Sequence, residues 1–186
     1  MRTGAVPAVI LHPRLRALYL YWRGLVVEGR LPRRRDIDAI ALGPLLPHIN
    51  LLDVGATPDE LRYRLAGGAI CQAFGFEPRG LTRAEIRQRH VAPAAHADFD
   101  ETSRQTHDVA ARRIVAYTHD RMTSYDRQFI AYARLMLPLS EDGIHATGVL
   151  GCILTSADRD PFWNDFVELH HELPLAELGI PDPGAA

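Results

Sequence analysis

The order of the strand-like segments constrains this fold most, because two short segments precede a long, mostly helical stretch and three longer ones follow it. Residues 48–54 are rich in apolar residues and end at the turn sequence Gly55-Ala56-Thr57-Pro58-Asp59. Residues 61–66 alternate apolar residues with arginines, which is the period-2 pattern of a half-buried strand. The two segments therefore predict an antiparallel hairpin.

The stretch after this hairpin has helical character. Gly67 and Gly68 end the second strand, and one or two helical turns are expected from Ala69 to Phe74. A longer helix is predicted at about 94–111. We expect this helical middle to cover one face of the sheet.

Three strands are expected after the helical middle, at residues 112–118, 128–139 and 149–155. A strong turn sequence at residues 140–143 joins the last two. Both alternating faces of the longest strand are largely apolar, so the sheet is expected to be covered on both sides. Two strands split from three by a helical insert predict an α+β fold with a five-stranded antiparallel sheet.

A helix is also predicted near each end of the chain. The first occupies residues 13–28 and has apolar residues at the spacing of one helical face. The second begins at Asp160-Pro161 and continues to the Leu173-Pro174 stop. The predicted division is an N-terminal flanking helix (1–30), one domain (31–157), and a C-terminal helix with a loose tail (158–186).

The composition excludes several classes of function. All 21 basic residues are arginines, which rules out Schiff-base chemistry and a P-loop lysine. The net charge of -2 gives no overall basic field for nucleic acid. No apolar run approaches the ~20 residues of a membrane-spanning helix, and the N-terminus has no full signal-peptide pattern. We therefore expect a cytoplasmic protein that binds neither nucleic acid nor membrane.

Motifs for metal binding, cofactor binding or catalysis are missing from the sequence. Cys71 and Cys152 form no CxxC pair, and neighbouring His170 and His171 on a helix would point about 100° apart. There is no GxGxxG, Walker or GxSxG motif. We expect no metal, no cofactor and no catalytic residue.

A series of short residue groups, running from about residue 18 to 155, resembles a stand-alone branch of the PAS domain family found in proteobacteria. The groups are Tyr21-Trp22, Leu31-Pro32-Arg33, Asp36-Ile37-Asp38, Leu45-Leu46-Pro47, Leu51-Leu52-Asp53-Val54, Arg62-Tyr63-Arg64-Leu65-Ala66-Gly67, Gly75, Gly80, Leu137-Pro138-Leu139-Ser140, Gly143 and Leu150-Gly151. Two positions depart from the branch, with Ala39 in place of Pro and Gly68 in place of a hydroxyl residue. The resemblance implies a PAS-like fold and a sensory module that signals by contact with other proteins. It implies no haem, flavin or chromophore.

A modest, mainly apolar pocket is expected between the helical middle and the sheet. The candidate lining residues, on the helical middle or the facing strands, are Cys71, Phe74, Phe99, Tyr117 and Leu135. The alternative is that these residues simply form core.

The apolar surface of the first helix is wider than one core contact needs. Such a helix has little stability alone in water, so its apolar side must be buried. We expect it to form a homodimer or to dock a signalling partner. The candidate interface residues are Leu15, Tyr19, Leu20, Tyr21, Trp22 and Tyr132.

The leading interpretation is a non-catalytic PAS-type sensory or adaptor domain in signal transduction, which binds a small ligand, a protein partner or both. Two alternatives stay open: a small-molecule enzyme on a cone-shaped α+β fold of the ketosteroid-isomerase kind, and a ligand-free structural interaction domain. In the cone-shaped fold the strands stay together after the opening helices, whereas here a hairpin at 48–66 precedes the helical middle.

Overall fold

The computed structural model describes residues 5–123, 129–156 and 161–181. The predicted start of a strand at Gln128 and the predicted start of a helix at Asp160 lie outside these residues. The predicted loose tail after Pro181 lies outside them as well. The helices and strands in chain order are α1 (Pro13–Leu25), α2 (Ala39–Leu42), β1 (Ile49–Asp53), β2 (Arg62–Ala66), α3 (Gly68–Phe74), α4 (Arg83–His90), α5 (His96–Ala111), β3 (Ile114–Thr123), β4 (Phe129–Ser140), β5 (Ala146–Thr155) and β6 (Leu169–Pro174).

The strands form one antiparallel sheet in the order β2-β1-β5-β4-β3-β6. The α+β class, the five predicted strands and the helical middle between β2 and β3 are confirmed. The central strands β5 and β4 pair along their length, from Tyr132 opposite Thr155 to Ser140 opposite Ala146. Their side chains therefore alternate between the two faces of the sheet.

The predicted C-terminal helix is wrong. Residues 161–165 form only a short 3₁₀ helix, and residues 169–174 form β6. β6 pairs with β3 from Ile114 opposite Pro174 to His119 opposite Leu169. The aromatic residues of this segment suggested a helical face, but the open hydrogen-bonding edge of β3 requires a partner strand, here one distant in sequence. The sheet therefore has six strands rather than five.

One face of the sheet is covered by α1. The buried side of this helix is formed by Leu15, Leu18, Tyr19 and Trp22, which pack in one core cluster with β3, β4 and β5. The indole Nε1 of Trp22 donates a hydrogen bond of 3.0 Å to the carbonyl of Pro138 in β4. This first helix therefore belongs to the core of the domain.

The opposite face of the sheet is covered by α3, α4 and α5. A second core cluster lies there and includes Leu52, Leu61, Tyr63, Ile86, Val109, Ile114, Ala116, Met136 and Val149. α4 begins with a capping box in which Thr82 and Glu85 each bond the other's backbone N–H. Helices thus cover both faces of the sheet, as the apolar faces of the longest strand predict.

Candidate ligand-binding site

A small cavity lies between α3 and the sheet. It is lined by Ile70 and Phe74 of α3, by Ile153 and Thr155 of β5, and by His48 just before β1. Its volume is about 10 Å³, room for about one water molecule. A larger ligand can enter only if α3 or its side chains move outward.

Polar side chains lie beside this cavity on the same sheet face. Asn50 is opposite Gly151 in the β1–β5 pairing, and Gly151 is two residues from Ile153 on the same face of β5. Arg134 and Tyr132 of β4 are opposite Ile153 and Thr155, respectively. Directly paired residues point to the same face of a sheet, so the side chains of Arg134 and Tyr132 lie on the face that carries the cavity. The apolar pocket that the sequence predicts therefore borders on polar groups.

Asn50 has no exposed surface, and no described residue forms a hydrogen bond with either its amide oxygen or its amide nitrogen. The space that its side chain occupies depends on Gly151. A Cβ atom at that position would lie 1.9 Å from the Asn50 oxygen and 2.6 Å from the sulfur of Met136. The backbone at Gly151 thus allows a polar amide to lie flat on the sheet.

Arg134 is buried at 5% exposure and donates one hydrogen bond of 2.7 Å from Nη2 to the side-chain oxygen of Gln105 in α5. Its Nε has no partner among the described residues. Burial lowers the pKa of Arg134, and the positive charge of Arg83 lowers this pKa further. Burial also raises the pKa of the Tyr132 phenol, which is therefore neutral at physiological pH.

Arg83 supports this layer of helices from its position at the start of α4. Its guanidinium donates hydrogen bonds to Ser103, Tyr63, Thr102 and the backbone carbonyl of Phe99, and it stacks 3.7 Å from the centre of the Phe99 ring. All of these acceptors are neutral. Arg83 thus joins α4 to α5, and none of the described carboxylates forms an ion pair with it.

The five predicted lining residues do not lie together. Phe74 lines the cavity, and Phe99 and Phe74 both pack on the core cluster under α3–α5. Cys71 is half-buried on α3, and burial raises the pKa of its thiol, so it is no activated nucleophile.

Tyr117 and Leu135 face the other way and belong to the core cluster under α1. They are opposite each other in the β3–β4 pairing, so both fall on one face. The Tyr117 hydroxyl accepts a hydrogen bond from the backbone N–H of His12 and forms another, of 2.6 Å, with Nε2 of His119. The prediction that Tyr117 and Leu135 line the pocket is therefore wrong. Strand alternation did not reveal which face of the sheet the helical middle covers.

The predicted interface residues also divide into two groups. Leu15, Tyr19, Trp22 and Tyr132 are buried within the chain, so in this conformation they cannot contact a partner. Leu20 is 44% exposed. Tyr21 is half-buried, and its hydroxyl accepts a hydrogen bond of 2.6 Å from the backbone N–H of Asp38. Only Leu20 and part of Tyr21 remain available at the surface.

Three buried polar residues on the α3–α5 side of the sheet were not predicted as site residues: Asn50, Arg83 and Arg134. Asn50 interrupts an apolar run, and Arg134 interrupts a largely apolar strand face, so both departures from pattern were visible in the sequence. Arg83 gives no such signal, since it lies in a stretch with several other arginines. His170 and His171 lie in β6 on opposite faces, and no group of metal-binding side chains lies together within the described residues.

The family model for the PAS domain matches residues 10–154, which is most of the sequence. The chain belongs to the PAS domain family. A PAS domain is a sensory signalling domain, and members of the family are generally non-catalytic. The cone-shaped enzyme fold is thereby excluded as the architecture. No curated protein matches the sequence.

The solved structures to which the chain is similar are distant. The structure of VqmA bound to DPO is 16% identical, with a TM-score of 0.48 over 62% of this chain and 56% of that chain. A Vibrio cholerae VqmA–ligand–DNA complex is 17% identical, with a TM-score of 0.48 over 64% of this chain and 50% of that chain. The PAS domain of BvgS from Bordetella pertussis is 15% identical, with a TM-score of 0.40 over 74% of this chain and 84% of that chain.

This PAS domain spans about half the length of the VqmA chains. Identities and TM-scores at this level concern the fold alone, and the expectation that the chain binds no nucleic acid gains no support from them. None of the described helices is long and apolar enough to cross a membrane. A cytoplasmic location stays a prediction.

Proposed function

We propose that this PAS domain is a non-catalytic sensor that binds a small polar molecule between α3 and the sheet and signals through another protein chain. The observation that carries the proposal is the buried amide of Asn50, which has no hydrogen-bond partner among the described residues. A buried polar group without a partner costs about 1–3 kcal/mol. A ligand that supplied the missing partners would recover that free energy on binding.

The position of Asn50 also supports the proposal. Ile153, two residues beyond Gly151 on the same face of β5, lines the cavity, and so does His48 just before β1. The helix above the cavity, α3, has a single fully buried residue, Ile70, and ends at Gly75 in the left-handed conformation. Because only Ile70 of α3 is fully buried, we expect an outward displacement of this helix to cost less than that of a helix with several fully buried residues, and to enlarge the cavity.

The test replaces Asn50 with leucine, which has a similar volume and no polar atoms. We expect Asn50→Leu to leave the stability of the ligand-free protein unchanged or to raise it by up to about 2 kcal/mol, since no partner is lost. We also expect native mass spectrometry to find a small molecule on the wild-type protein and none on the variant. Asn164→Leu is the control at an exposed position.

If the protein is instead a ligand-free structural domain, we expect the opposite result. In that case Asn50→Leu destabilises the protein by more than about 1 kcal/mol, because the amide then has a structural role, and no small molecule accompanies the wild-type protein. These two outcomes together would overturn the sensor proposal.

We propose that the signal is passed on through a homodimer formed by α1. The interface is the outer side of this helix, because its buried residues are not accessible to a partner. The buried side of α1 covers the chain's own sheet, while its outer side exposes Ala17, Leu20 and Gly24. This alternating spacing of four and three residues is typical of a helix that packs against a second helix. Small residues there would let two helices approach closely.

The dimer is tested by light scattering on Leu20→Arg beside Leu65→Arg. Both leucines are similarly exposed, but Leu65 lies on the edge strand β2. We expect Leu20→Arg to be a monomer, because it places like charges opposite each other, and Leu65→Arg to remain a dimer. If the wild-type protein is itself a monomer at tens of micromolar, the proposed dimer is wrong.

A further inference from the structure

The charge on the α3–α5 face of the sheet indicates which class of ligand fits there. Arg83 and Arg134 are both buried on this side, and neither takes part in any ion pair among the described residues. Arg83 is satisfied by neutral acceptors. Arg134 has one neutral acceptor, Gln105, and an Nε atom with none among the described residues.

Other groups around Arg134 do not neutralise it. The carboxylate of Asp120 is opposite Tyr132 on β3, is exposed, and forms no ion pair with Arg134. Thr118 is opposite Arg134, but its hydroxyl is hydrogen-bonded to Nδ1 of His170. A guanidinium stays protonated in proteins, and no carboxylate of the described residues forms an ion pair with this buried charge. Such a charge is strongly unfavourable unless an anion accompanies it.

We propose that the ligand carries a carboxylate that accepts hydrogen bonds from Arg134 and a second polar group that pairs with the amide of Asn50. The inference rests on the proposed function, since it concerns the same site. A planar carboxylate matches the edge of a guanidinium. A phosphate dianion would need more donors than one arginine, and among the residues that line the cavity only His48 and Thr155 have polar side chains.

The spacing of the strands limits the size of the ligand. Arg134 and Asn50 are separated by β5 and by an offset of two residues, so their Cα atoms lie about 12 Å apart. Both side chains rise from the same face of the sheet, and the ligand would bridge the gap between their polar groups. A short hydroxy, oxo or amino acid is therefore the class that fits between the two groups.

The experiment compares lactate with lactamide, which differ in charge and hardly in shape. Thermal unfolding and calorimetric titration of the full chain are measured at constant ionic strength, with sodium chloride as the balancing salt. We expect millimolar lactate to raise the melting temperature and lactamide to have little effect. Arg134→Gln should weaken lactate binding about tenfold or more, since it removes a hydrogen bond to a charged group. Arg104→Gln is the matched control, because this exposed arginine of α5 forms its ion pair with the exposed Glu101 of the same helix.

The possible outcomes separate this inference from the proposed function. If lactate and lactamide bind equally and Asn50→Leu abolishes both, the site exists but the anionic class is wrong. If sodium chloride stabilises the protein as much as lactate does, the effect is non-specific and the inference is overturned. If lactate, glycolate, pyruvate and propionate all fail to bind wild-type protein, it is likewise overturned, even where mass spectrometry finds a neutral ligand. If Arg134→Gln does not fold, the comparison of lactate with lactamide on the wild-type protein still tests whether the ligand is a carboxylate.

Discussion

Replacing Trp22 tests whether α1 is part of the domain core or a detachable flanking helix. Trp22 has no exposed surface, lies in the cluster between α1 and the sheet, and bonds the carbonyl of Pro138 through its indole N–H. Trp22→Ala removes the largest buried side chain of α1 and that hydrogen bond. Trp22→Phe keeps most of the buried ring and loses only the hydrogen bond.

The expected magnitudes follow from these contacts. Trp22→Ala should cost about 3–5 kcal/mol, the usual range for truncating a buried aromatic residue. Trp22→Phe should cost about 1 kcal/mol, mostly for the lost hydrogen bond. In a domain of this size, 1 kcal/mol corresponds to a decrease of about 2–4 °C in melting temperature. The alanine variant should therefore melt about 6–20 °C below the wild type.

The assay is urea unfolding followed by far-ultraviolet circular dichroism, which does not depend on tryptophan fluorescence. Ile40→Ala, at an exposed position of α2, is the control and should change stability by no more than about 0.5 kcal/mol. If Trp22→Ala costs no more than Ile40→Ala, α1 does not pack on the sheet in solution, and the core cluster under this helix is refuted.

Three further predictions concern local features. Gly67→Ala should destabilise the protein strongly, because the new Cβ would lie 2.3 Å from the carbonyl oxygen of Pro47, whereas Gly68→Ala meets nothing within 4 Å and should be nearly neutral; equal melting temperatures would contradict this. Thr82→Ala should cost about 1 kcal/mol through loss of the cap of α4, measured by urea unfolding; a change below about 0.3 kcal/mol would show that the cap is unimportant. Burial lowers the pKa of His119, so the unfolded chain binds this proton more readily and stability should decrease as the pH falls below about 6.5. His119→Gln should show a shallower decrease between about pH 7 and pH 5, and an unchanged slope would refute the assignment.

The sequence by itself determined the order of elements in the main part of the domain. The alternation at residues 61–66 and the turns at 55–59 and 140–143 are local signals, and the hairpin, the helical middle and the three later strands all form where these signals predict. The buried stripe of α1 was also predictable, because its spacing of three and four residues depends on helix geometry alone. Local geometry thus specifies which residues share a face.

Local geometry does not specify what a face packs against. The pairing of Tyr117 with Leu135 follows from strand alternation, yet only the packed helices decide that both residues lie under α1 rather than beside the cavity. Because the sequence did not show which helices cover which face of the sheet, Arg134 was not predicted to be a buried cation near the cavity. Its place on an apolar strand face was clear, but its burial under α5 and its single neutral partner depend on residues far away in sequence.

Tertiary structure alone decided β6 and the state of Asn50. Residues 169–174 become a strand because the edge of β3 supplies hydrogen bonds that no residue nearby in sequence can supply. Asn50 has no hydrogen-bond partner among the described residues, because strand pairing places it over Gly151 and packing buries it completely. Periodicity arises from neighbours along the chain, whereas edge pairing and burial arise from contacts between distant segments, so only the folded structure could place these two features.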